Sequence, residues 1–240
     1  MIVALALLAT ASAPPEPDHE IIVRNATEAA MEYTLHLPDF ICDQITKRYF
    51  SFSPVPHWRL KDRLQVELVY AGGKEEYRNL LVNGKRPASG GEEPEEGTWS
   101  RGEYGTMLRN TFSGRAKATF MPRAPGSYGF AVLQTNSQWT LKVGSKSYNP
   151  AYTGTVWLEP KTGATLKIEM LAQGLPESFP WDMAEVRVQY GWVRIEDRKH
   201  LLPVRAENVC CIRDTMACTL NKIEFLHYRK FDAKSRLIVP

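Results

Sequence analysis

The chain has 240 residues, 43% of them apolar and 24% charged, a globular balance that excludes a disordered chain and a membrane-helix bundle. The formal net charge is only +3, and Lys47-Arg48 and Arg229-Lys230 are pairs within strand-like runs, so no nucleic-acid surface is indicated. The length suits one large β domain, and neither a linker nor an internal repeat divides it.

Met1 to Ala13 is an apolar run ending in Ala9-Thr10-Ala11 and Ala11-Ser12-Ala13, the small-x-small pattern of a secretion signal. The spacing predicts a signal cleaved after Ala11 or Ala13, and Pro14, which obstructs cleavage directly before it, favours residues 1–11. The run is shorter than the roughly 20 residues that span a bilayer, so it is not read as a transmembrane segment. It contains no Cys for lipid attachment. Pro14 to Glu20 is a polar lead-in, and a single folded domain is expected over residues 21–240.

Asn25 and Glu28 can cap a helix whose Ala29, Ala30, Tyr33 and Leu37 form an apolar stripe down to Pro38. From Phe40 to Phe52 the period changes to two, with Ile41, Ile45 and Tyr49 set against Gln44 and Arg48, and Pro54 and Pro56 stop the strand. Arg63 to Tyr70 alternates through Leu64, Val66 and Leu68. It turns at Ala71-Gly72-Gly73-Lys74 and returns from Tyr77 to Val82. Asn83-Gly84 reverses the chain into an acidic, glycine-bearing loop from Ala88 to Gly97. Ser100 with Glu103 then makes a capping box for a short helix that aligns Tyr104, Met107, Leu108, Thr111 and Phe112.

Lys117 to Met121, Tyr128 to Thr135 and Trp139 to Gly144 read as strands. In the clearest stretch, Val156 and Leu158 alternate with polar neighbours, Pro160 to Gly163 turns, and Ala164, Leu166, Ile168 and Met170 alternate again. Ala184, Val186, Val188 and Tyr190, then Leu201 to Ala206, continue the pattern. Asn221 to Phe231 is apolar on both sides and is expected to be covered on both faces. The sum is about eleven strands and two helices: an α+β, β-dominated fold with a large curved antiparallel sheet, an open half-barrel under two covering helices.

Chemistry is sparse. His19, His36, His57, His200 and His227 are scattered and form no HxxxH pattern, Gly-x-Ser-x-Gly is absent, and the lone glycine pairs belong to no βα unit. No catalytic residue, metal site or cofactor is therefore expected, and the chain is read as a non-enzyme. Glu159, Glu169, Glu185 and Glu207 alternate with apolar residues and read as a solvated outer face. Trp58, Trp99, Trp139, Trp157, Trp181 and Trp192 lie near strand ends or opposite the aliphatic face, either lining a groove or forming a second apolar layer beneath the helices. Cys210, Cys211 and Cys218 flank Arg213-Asp214-Thr215, a hairpin tip across which Cys218 can reach Cys210 or Cys211; Cys211 is taken as the partner. Metal binding by this cluster has weaker support, because the ligand spacing is wrong.

Several segments resemble a group of exported acidobacterial proteins of unassigned function. They are Leu37-Pro-Asp-Phe-Ile-Cys-Asp-Gln44, Leu81-Val-Asn-Gly-Lys85, Gly102-Glu-Tyr-Gly-Thr-Met-Leu108, Gly154-Thr-Val-Trp-Leu-Glu-Pro-Lys-Thr-Gly163, Leu201-Leu-Pro-Val-Arg-Ala206 and Tyr228-Arg-Lys-Phe231. More remotely, the order of helix, strands, helix, strands with that Val-Trp-Leu-Glu-Pro-Lys-Thr-Gly hairpin is similar to periplasmic lipoprotein carriers of the LolA and RseB type. That resemblance implies an unclosed β-barrel with helices as a lid over an apolar cavity. The ligand-binding face would then be Leu64, Val66, Leu68, Val156, Leu158, Leu166, Ile168, Val186, Val188 and Tyr190, with Tyr104 and Met107 in the lid. The expected function is a periplasmic or secreted carrier or sensor for an acyl chain, a lipid or a lipoprotein. The competing reading is an envelope interaction module with a filled core.

Overall fold

Strand-forming alternation dominates, and the computed structural model, which describes residues 19–35, 37–88, 104–124 and 126–231, shows the sheet it builds. The predicted signal, Trp99, the Ser100 and Glu103 capping box and all but the first residue of the acidic loop lie outside the described residues. In chain order the elements are α1 (His19–Leu35), β1 (Phe40–Phe52), β2 (Arg59–Ala71), β3 (Lys74–Val82), α2 (Tyr104–Phe112), β4 (Thr119–Ala124) and β5 (Ser127–Val132). They continue as β6 (Leu141–Val143), β7 (Lys146–Tyr148), β8 (Ala151–Leu158), β9 (Thr165–Gln173), β10 (Trp181–Ile195), β11 (Arg198–Ile212) and β12 (Ala217–Lys230). Helix α1 begins six residues before Asn25, so Glu20 belongs to its first turn and not to a lead-in.

Ten strands form one open antiparallel sheet in the order β3-β2-β1-β12-β11-β10-β9-β8-β5-β4, and β6-β7 is a separate hairpin. The first and last strands meet in the middle, Thr46 opposite Ile223 and Arg48 opposite Asn221. Both helices lie on the inner face, where Ala26, Ala30, Leu108 and Phe112 join Leu64, Val66, Val156, Ile168 and Val188 in one buried core. The β6-β7 hairpin is not part of the sequence expectation, which ran Trp139 to Gly144 as a single strand. With Phe179 and Ala184 it encloses a second, smaller core.

Two readings of facing are corrected. On β9, Ile168 and Met170 face the core but Leu166 does not, being 37% exposed. Trp157 pairs with Lys167 and Leu158 with Thr165, so Leu166 is the extra residue of a β-bulge, and the face reverses there. On β1 the inner residues are Phe40, Cys42, Gln44, Thr46 and Arg48, since Cys42, Gln44 and Thr46 lie directly opposite Leu68, Val66 and Leu64. Ile41, Ile45 and Tyr49 therefore take the outer face. Nor is β12 covered on both sides, for Leu226 is 41% exposed.

What permits a polar inner face on β1 is a buried ion pair. Arg48 Nε donates to Asp62 Oδ1 at 2.7 Å and its terminal nitrogen to Oδ2 at 2.6 Å, across the β1-β2 ladder. The outer face is charged as expected: Arg187 on β10 meets Glu185, Glu169 and Glu207, and Lys222 on β12 meets Glu207.

Cys211 and Cys218 oppose one another at the β11-β12 tip and form a disulfide. Cys42 and Cys210 are free thiols, and burial pushes each up to about 12, with Asp43 and Glu75 adding to the shift at Cys42. Both should resist a thiol reagent in the native protein at neutral pH, and denaturation without reductant should release two thiols. Four would mean that the disulfide is absent in solution. Because the unfolded thiols ionise near about 8.5 and the folded ones do not, stability should decline as pH rises from there toward about 12.

Candidate functional site

At the end of the sheet carrying the β8-β9 and β10-β11 turns, helix α1 crosses above the inner face. The contact is made by backbone: Gly163 in the β8-β9 turn has φ +71°, and a Cβ there would lie 2.8 Å from the carbonyl carbon of Asn25 and 2.9 Å from the nitrogen of Ala26. Only glycine allows both the left-handed conformation and that approach. The turn is itself held by Gly163 N–H donating to Glu159 O at 2.9 Å and Glu159 N–H donating to Ala164 O at 2.8 Å.

Beside this contact lies a cavity of about 380 Å³, walled by Ala29, Ala30, Tyr33 and Leu37 of α1 and its exit, Leu108 of α2, Ala164, and Leu201 of β11. Its rim carries Glu32, Thr162, Thr165, Trp192, Lys199 and His200. The mouth opens to water at Trp192, which is 52% exposed. Burial, then the neighbouring positive charge of Arg198, lowers the pKa of His200, so its imidazole is neutral at pH 7 and Lys199 is the cationic group of the rim. Such a site can hold a short apolar segment with a polar end at the mouth.

Tyr33 also borders a second void of about 10 Å³, with Phe40, Leu68, Tyr70, Glu75, Pro203, Phe225 and Tyr228. Its hydroxyl has no hydrogen-bond partner among the described residues, and its pKa is raised by burial, then by Glu75 and Tyr70. Tyr228 donates to Pro203 O at 2.6 Å. The void has room for about one water.

The residues expected to bind ligand are placed elsewhere. Leu64, Val66, Leu68, Val156, Leu158, Ile168, Val188 and Tyr190 are each no more than 5% exposed and fill the core; Val186 and Met107 pack against it half-buried. Tyr104 heads α2. None of the others lines the 380 Å³ cavity. No sequence signal marks the β10-β11 tip residues Trp192, Lys199 and His200 as a rim, whereas the stripe Ala29, Ala30, Tyr33 and Leu37 along α1 and its exit is legible in the helical spacing. The buried inner-face polar groups Gln44, Thr46, Arg48, Asp62 and Asn221 were missed altogether. The Gln44 amide, 1% exposed, has no hydrogen-bond partner among the described residues.

Among the tryptophans, Trp157 stacks under Lys167 Nζ at 4.4 Å on the outer face, while Trp139 and Trp181 pack edge-on against Tyr152 and Phe179. Among the described residues there is no group of three or more His, Cys, Asp or Glu side chains able to hold a metal, and no helix is long and apolar enough to cross a membrane.

Fold and cavity together define an open antiparallel half-barrel with two helices on its inner face. No family profile matches the chain, and no curated protein does. Among solved structures, the crystal structure of a DUF1329 family protein from Desulfovibrio piger ATCC 29098 is similar over 88% of this chain and 94% of that one, at 8% identity and a TM-score of 0.35.

Proposed function

We propose that this protein is an exported, non-catalytic carrier or sensor that holds one small amphipathic ligand, such as the end of an acyl chain or of a lipidated partner. The observation that carries the reading is the cavity of about 380 Å³ between α1, α2 and the β8-β9 and β10-β11 turns, which falls within the range of about 300–1,000 Å³ usual for ligand pockets. Its walls are aliphatic apart from Tyr33, and each methylene buried there gains about 0.8 kcal/mol. An anionic head would meet Lys199 at the rim. Export is supported by the Cys211–Cys218 disulfide, a bond that persists in oxidising compartments.

The filled core beneath the helices favours the second reading, an envelope interaction module without a ligand. The two separate on binding. Saturable uptake of a fluorescent fatty acid by the wild type is expected, and Ala29→Trp, which fills the cavity from a half-buried helix position, should weaken it at least tenfold. Its melting temperature should stay within about 4 °C of wild type, a change of about 1 kcal/mol for a domain of this size. Absence of saturable binding by the wild type, together with no lipid in native mass spectra of the protein from its own source, would sink the carrier reading.

A further inference from the structure

The opposite end of the sheet carries a feature that the cavity does not use. There the β1-β2 turn and the neighbouring β11-β12 turn project side by side, since Phe52 pairs with Ala217 and Ser51 with Cys218. Their apolar side chains have no cover: Val55 is 81% exposed and Phe52 69%, with Leu60 and Met216 also exposed. The turn that presents them is braced. Pro54 and Pro56 fix the backbone on either side of Val55, Ser53 Oγ donates to Val55 O at 2.6 Å, and His57 N–H donates to Ser51 Oγ at 2.9 Å. Phe50 and Phe52 support each other with ring centres 5.5 Å apart.

Several cations around this end are unpaired among the described residues. On the outer face, Arg187, Lys222 and Arg229 each have a carboxylate partner. By contrast, Arg59 and Arg63 on β2, and Lys85 and Arg86 after β3, are exposed and form no ion pair among the described residues. The turn after β3 is tied to β2 here, with Arg63 N–H donating to Asn83 Oδ1 at 2.9 Å. Only Asp214 adds an exposed carboxylate to the two turns.

We propose that this end docks on an anionic lipid surface, with Val55, Phe52 and Met216 entering the interface and the β2 and β3 cations on the headgroups. Exposed apolar groups rimmed by charge mark interaction surfaces, and unpaired cations complement anionic lipid. The exposure selects the bilayer over a protein partner: a proline-braced turn with Val55 81% exposed inserts between headgroups, whereas a protein interface buries its anchors in a complementary pocket.

The test is vesicle flotation of the full chain without any acyl ligand, so its result is independent of the cavity. Wild type should float with vesicles of phosphatidylglycerol and phosphatidylcholine, far less with phosphatidylcholine alone, and be released by high salt. The double variant Phe52→Ser with Val55→Ser should lose at least tenfold in affinity. Arg63→Gln and Lys85→Gln should each lose about fivefold. All these positions are exposed, so unchanged circular dichroism and melting are expected to show folded protein. The proposal is overturned if wild type stays unbound with anionic vesicles, if the double variant floats as well as wild type, or if the turns instead retain an acidic protein and no vesicles.

Discussion

Asp62→Ala is expected to destabilise the protein by about 3–5 kcal/mol, because it strips the carboxylate from a guanidinium buried in the sheet. The side chains of Arg48 and Asp62 are only 5% and 9% exposed, and their two parallel hydrogen bonds span strands β1 and β2. A total stability of about 5–15 kcal/mol means that such a loss takes a large share of the fold. Replacing both partners together, Arg48→Met with Asp62→Leu, should recover most of it, since two apolar groups leave no buried charge behind. Urea unfolding of the three proteins decides the matter. A loss below about 1 kcal/mol in Asp62→Ala would mean that the pair behaves like a solvated surface bridge.

Ile168→Ala should cost about 2–5 kcal/mol, while Leu166→Ala, two residues earlier on the same strand, should stay within about 0.5 kcal/mol. Ile168 is fully buried against the core shared by both helices, whereas Leu166 is 37% exposed at the bulge opposite Trp157 and Leu158. A strand without the bulge would put both on one face, and the two losses would be similar. The same logic predicts that Leu166→Lys folds and Ile168→Lys does not, read as soluble yield and cooperative unfolding.

Much of the architecture was legible because its signals are local. The alternation from Phe40 to Phe52 and from Arg63 to Tyr70, the turn at Gly72-Gly73 and the hairpin at Pro160 to Gly163 each fix an element by period and turn chemistry alone. The cysteine spacing around Arg213 to Thr215 put Cys218 within reach of Cys210 or Cys211, and the β11-β12 register selects Cys211. The helical stripe of Ala29, Ala30 and Tyr33 likewise marked a face of α1 that became, with Leu37 at its exit, a cavity wall.

What the sequence determined by itself, then, is the strands of the large sheet, the two helices and the antiparallel, one-sided character of that sheet, because these follow from residue periods of two and 3.6. Which face each strand buries was decided only by tertiary pairing. The bulge at Leu166 inverts a local parity that continues unbroken in the sequence, and the charges at Arg48 and Asp62, 14 residues apart, can enter the core only once the β1-β2 register joins them. The cavity and the exposed turns at opposite ends of the sheet belong to the same class of fact. Each is assembled from segments distant in the chain, brought together by the pairing of β1 with β12 and the backbone contact of α1 with Gly163.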